Sequence, residues 1–152
     1  MSNEPAVATT PIACDMTGAP DTAEERMAEY GRLFAAAYTG RERTAEGIRW
    51  RFRADEGIEA WVRDLVAREE ACCPFLAIAV TVADGEVRWD AGLANGVDDD
   101  IARTILDDFY HLPDTIGDGL AGMEARLNER GLAVSRNASG TVMQVQHAPA
   151  DA

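Results

Sequence analysis

The sequence predicts an α+β protein, with helices packed on a mainly antiparallel sheet around a ferredoxin-like split βαβ core. Three observations lead there. Several stretches carry apolar residues at helical spacing, and others alternate apolar and polar residues. The central elements follow one another as strand, helix, strand, strand, helix, strand. The chain has 152 residues, 47% of them apolar and 27% charged. That is enough for one domain with its own core, placed here at residues 11–147. The Ala/Thr/Pro-rich segment 1–10 and the tail 148–152 read as flexible.

Along the chain, PIACDM is a short strand before the turn TGAPD. TAEERMAEYGRLFAAAY is a helix, with Met27, Tyr30, Phe34 and Tyr38 at helical spacing and Glu24 and Glu25 in its first turn. TGRERTAEG then reads as a loop. GIRWRFRA alternates Ile48, Trp50 and Phe52 against arginines, the mark of a half-buried strand. After the helix DEGIEAWVRDLVAREEACC, two β runs meet at Asp84-Gly85, a hairpin signal. VDDDIARTILDDFYHL is a helix with Ile101, Ile105, Phe109 and Leu112 on one face. A further helix follows LPD, with Ile116, Leu120, Met123 and Leu127 in register up to Gly131. LAVSR and TVMQVQHA flank the turn NASG as a last hairpin.

Composition excludes several classes of partner. Lys and Arg total 14 against 27 Asp and Glu, a formal charge of −13. With no basic run, the chain would be repelled by a phosphate backbone or an anionic membrane. No stretch approaches the roughly 20 apolar residues of a membrane span, and the N-terminus lacks the pattern of a secretory signal. The expected location is cytoplasmic. The three cysteines, an odd number, are therefore expected to be free, metal-bound or redox-active rather than structural bridges.

The chemistry concentrates in REEACCPFL, residues 68–76. At about 100° per residue, Ile58, Trp61, Val62, Leu65 and Val66 form one arc of the preceding helix. Cys72 and Cys73 extend it, and Glu69 falls near its middle. A carboxylate on a buried stripe costs several kcal/mol unless it is protonated or paired; Arg51 and Arg53 are candidate partners. Pro74 ends the helix, so both sulfurs can turn toward one point, and Cys14 completes the set if its strand passes the helix end. Two or three thiolates with a carboxylate select soft or borderline ions: Hg(II), Cu(I), Cd(II), Zn(II) or trivalent arsenic. The helix C-terminus, Glu69 and Glu70 would all raise a thiol's pKa, which favours a captured cation over a nucleophilic thiolate. Arg68 works against that argument from the edge of the arc.

Other readings of the same residues stand beside this one. Cysteine also packs as a small hydrophobe, and the spacing is not a zinc-finger pattern. Glu69 is equally a candidate general acid or base in an apolar pocket lined by Trp50 and Trp61. Cys14 paired with Cys72 or Cys73 would make a redox switch. His111 lies off its helix's apolar face and His147 near the tail, so neither reads as a ligand. Asp98–Asp100 read as a helix cap, and Asn137-Ala138-Ser139 as a turn.

With PIAC upstream, REEACCPFL resembles a set of small uncharacterised bacterial proteins with an N-terminal Cys and a Glu-x-x-Cys-Cys-x-Phe helix end. The resemblance covers roughly residues 11 to 92 and rests on Cys14, Glu69, Cys72, Cys73 and Phe75. It implies a link to heavy-metal resistance, mercury above all. The part from Val97 onward lies outside it and would add a partner surface or a homodimer contact.

Overall fold

Two antiparallel sheets and four helices make up the computed structural model, which describes residues 12–149. The expected flexible segment 1–10 and the last three residues of the tail lie outside the described residues. The larger sheet has the order β2 (Tyr38–Arg43), β3 (Gly47–Arg53), β5 (Glu86–Leu93), β4 (Leu76–Ala83). Its alternation is that of the sequence: Ile48, Trp50 and Phe52 of β3 point inward, with Val87, Trp89 and Ala91 of β5 beside them. Trp50 and Trp89 are cross-strand partners and stack with ring centroids 3.9 Å apart, the kind of aromatic pair that fixes register.

β2 is a correction. TGRER reads as loop because its residues are polar on both faces, yet it forms an edge strand against β3, irregular between Tyr38 and Gly40. Charged side chains suit an unpaired edge. A tight turn from Thr44 to Gly47 closes this hairpin. Gly47 is required there, since a Cβ would lie 2.2 Å from the Ala91 carbonyl oxygen.

β3 and β4 both run antiparallel to β5, so they are parallel to each other, with α2 (Ile58–Cys72) as the crossover. A ferredoxin-like sheet would place the strand after the next helices on the far side of β3. Here β2 occupies that position, and the expected core is not completed. β6 (Leu132–Arg136) pairs instead with β7 (Val142–His147), and β7 with β1 (Ala13–Asp15), in a second, three-stranded sheet.

The helices follow their sequence signals closely. α1 (Ala23–Ala37) starts at a capping box between Thr22 and Glu25 and buries Arg26, Tyr30, Leu33, Phe34 and Ala37. α2 begins at Gly57, whose φ of 84° favours glycine, and buries Ile58, Val62, Leu65, Val66, Glu69 and Cys72. α3 (Asp100–Thr115) is capped by Asp99 and runs past the expected break at Pro113. Proline has no N–H to give the Phe109 carbonyl four residues back. The Trp50 indole N–H donates to that oxygen instead, at 3.1 Å, so helix and sheet are joined where the helix bond is lost. α4 (Gly119–Glu129) ends before Gly131, at φ 83°.

Trp50 thus contributes a stack, a buried surface and a bond that repairs α3. Trp50→Ala is expected to cost about 3–5 kcal/mol in urea unfolding, whereas Val82→Thr on an exposed part of β4 should change stability by less than about 0.5 kcal/mol.

Candidate functional site

The end of α2 brings its acid and its sulfurs together by helix geometry. Positions three and four residues apart share a face, so Glu69 sits below both Cys72 and Cys73. The Cys73 N–H still donates to the Glu69 carbonyl at 2.9 Å, but with φ −119° and ψ 80° the residue has left the helix ahead of Pro74. Its side chain therefore swings toward Cys72. The two Sγ atoms are 3.6 Å apart, and Glu69 Oε1 lies 3.4 Å from Cys73 Sγ and 4.0 Å from Cys72 Sγ. All three residues are buried, and their ligand atoms lie within 4.8 Å of one another.

Cys14 arrives from the other sheet. The pairing of β1 with β7, Cys14 opposite Met143, carries it to the end of α2. There it lies close to Cys72 and Cys73, both of which bear on its titration. It is half-buried and stands outside the tight group formed by Glu69, Cys72 and Cys73. All three cysteines are free.

Two residues that the sequence reading passed over complete the site. Arg26 of α1 is 4% exposed, and its Nη1 donates to Cys72 Sγ at 3.1 Å and to the Arg68 carbonyl at 3.2 Å. Asp21 holds the same guanidinium by a fork of two bonds, at 2.7 and 3.0 Å. Tyr30, one turn further along α1, donates its hydroxyl to Glu69 Oε2 at 2.9 Å. The signal was present: Arg26, Tyr30, Leu33, Phe34 and Ala37 share one helical stripe, and the wheel that flagged Glu69 on α2 flags Arg26 on α1. The expected arginine partners of Glu69 are elsewhere. Arg51 pairs with Glu86 and Arg53 with Asp55, while Arg68 is engaged by Asp21, Glu29 and Asp64.

This arrangement reverses part of the expected electrostatics. The Cys72 thiol is held well below its ordinary pKa, first by the neighbouring Cys14 and Cys73 thiols, then by the charge and hydrogen bond of Arg26. Cys14 and Cys73 are pushed up, chiefly by the neighbouring sulfurs and by burial. Cys72 is thus the sulfur most readily ionised of the three. Burial raises Glu69 to about 6, the charge on Cys72 adds to this, and Arg26 and Tyr30 pull it back. Helix-end and carboxylate repulsion are present at Cys72, but a buried cation at 3.1 Å outweighs them.

Space adjoins the cluster on two sides. An inner cavity of about 70 Å³ is bounded by Cys14, Cys72, Glu69, Tyr30 and Arg26, by Trp50 and Trp89, and by Met16, Met27, Met123 and Met143 among its apolar walls. Trp89 takes the place expected for Trp61, which is half-buried and donates to Glu29 at 2.7 Å. An outer cleft of about 250 Å³ is lined by Asp15, Gly18, Ala19, Pro20, Arg26, Arg68, Ala71 and Cys72. Cys72 and Arg26 belong to both.

His111, His147 and the Asn137–Ser139 turn are exposed and take no part in the site. Asp99 caps α3, and Asp98 and Asp100 pair with Arg103. No helix among the described residues is long and apolar enough to cross a membrane. No protein-family model matches the chain, and no curated protein or solved structure matches it.

The raised Glu69 makes stability depend on pH in a defined direction. Folded protein takes up this proton near pH 6 and unfolded protein near 4.5, so the folded state binds more protons in between. Stability from this group is present below pH 4.5 and lost as pH rises to 6, by about 2 kcal/mol. Urea unfolding of wild type and Glu69→Gln across pH 4–7 should show their difference changing by that amount, with wild type losing ground toward pH 7.

Proposed function

We propose that the protein binds a thiophilic metal or metalloid ion through Cys14, Cys72 and Cys73, with Glu69 as fourth ligand or charge balance, for sequestration or handoff. One observation carries the reading: the ligand atoms of Glu69, Cys72 and Cys73 already lie within 4.8 Å of one another, with the sulfurs 3.6 Å apart. Two sulfurs about 2.3 Å from one tetrahedral ion sit about 3.8 Å apart, so little movement separates the present cluster from a coordinated one. Cys14, which lines the same cavity as Cys72 and Glu69, is the third sulfur. Arg26, at 3.1 Å from Cys72, offsets part of the negative charge that thiolates bring to such a site.

The donor set selects soft or borderline ions, Hg(II), Cu(I), Cd(II), Zn(II) or trivalent arsenic, and the methionines around the cavity keep the surroundings soft. A role in heavy-metal resistance, mercury in particular, in a reducing cytoplasm that keeps the thiols free, agrees with the resemblance carried by Cys14, Glu69, Cys72, Cys73 and Phe75.

Titration of reduced protein with Hg(II) or As(III) should give sulfur-to-metal charge-transfer absorption that saturates at one equivalent. Glu69→Gln is expected to weaken binding by roughly 10- to 100-fold. A Cys14, Cys72, Cys73 triple serine variant that binds as tightly as wild type would refute the assignment.

A further inference from the structure

A buried arginine against one sulfur is not what capture of a cation alone requires. It is what a sulfur needs in order to act as a nucleophile. Arg26 is held by Asp21 and the Arg68 carbonyl and places Nη1 3.1 Å from Cys72 Sγ. Of the three sulfurs, Cys72 alone lines the outer cleft as well as the inner cavity, and Arg26 accompanies it in both. A molecule entering from the cleft therefore meets this sulfur and this cation together. Beyond them the cavity is walled mainly by apolar groups, Trp50, Trp89, Met27 and Met123, with Glu69 and Tyr30 as its polar members.

We propose that Cys72 is the attacking sulfur of a thiol-dependent peroxidase, that Cys14 is the sulfur that resolves it, and that the substrate is an organic hydroperoxide whose apolar group occupies the inner cavity. This rests on the Arg26 contact and on the cleft and cavity that Cys72 and Arg26 share, and stands independently of metal binding.

The reaction balances with the groups present and two outside reactants. The Cys72 sulfur attacks the distal oxygen of R–O–O–H. The S–O bond forms as the O–O bond breaks, and the departing alkoxide takes a proton from solvent and leaves as the alcohol. The hydroperoxide is reduced by two electrons, and Cys72 is oxidised to a sulfenic acid. The Cys14 thiol then attacks that sulfur, a disulfide forms, and the hydroxyl leaves as water with the Cys14 proton. A dithiol reductant restores both thiols by exchange. Cys14 is assigned this step over Cys73 because a bridge between adjacent residues must distort the peptide between them, whereas Cys14 comes from a separate strand and lines the same cavity as Cys72.

The test uses reduced, metal-free full-length protein mixed with tert-butyl hydroperoxide or hydrogen peroxide. The alkyl hydroperoxide should oxidise it at least ~10-fold faster, the gain from burying about two methylene-sized groups, and peptide mapping should find Cys14 bonded to Cys72. Cys14→Ser protein should stop at a sulfenic acid that dimedone labels at Cys72. Arg26→Met should slow oxidation ~10- to 100-fold, and Arg51→Met, on the outer face of the sheet, should leave the rate unchanged. Should Arg26→Met fail to fold, dimedone labelling of Cys14→Ser decides alone. Equal rates with both peroxides, or label on Cys73 instead of Cys72, would overturn the proposal. Hg(II) titration of the same preparation separates the two activities, since binding without peroxide reactivity removes this inference and leaves the metal site standing.

Discussion

A charge buried in an apolar interior must be neutralised on the spot, and the packing around the end of α2 is organised by that requirement. Arg26 is 4% exposed, with Nη1 3.1 Å from Cys72 Sγ and the rest of its guanidinium forked onto Asp21. Removing Asp21 would leave that buried cation without its carboxylate partner, at a cost of several kcal/mol. Tyr30 and Cys73 hold Glu69 in the same way. The hydrogen bonds are directional, so the groups are held in one arrangement, which a merely greasy pocket would not impose.

Much of this site was legible in the sequence because a helix is a local structure. The inward turn of Glu69, Cys72 and Cys73 follows from periodicity and from Pro74, with no knowledge of the rest of the chain. Arg26 was equally local but went unread, since the α1 stripe was drawn through Met27 and Tyr38, which lie at its half-buried edges. Cys14 depended on strand pairing with Met143, a contact across most of the chain that no spacing reveals. The sheet shows the same division. Alternation and the Asp84-Gly85 turn identified β3, β4 and β5. The edge beside β3 went to β2 through a short hairpin, whose closure costs far less entropy than bringing back a strand from beyond residue 130. Since TGRER carries no apolar face, nothing in its pattern announced it.

The proposed metal site stands on two sulfurs and one carboxylate that already meet, and on Cys14 closing in from β1 as the third sulfur. X-ray absorption of the protein loaded with one equivalent of Zn(II) reads that convergence atom by atom. The proposal predicts three sulfur neighbours at about 2.3 Å and one oxygen at about 2.0–2.2 Å. A shell made only of nitrogen and oxygen, or one holding a single sulfur, would contradict it.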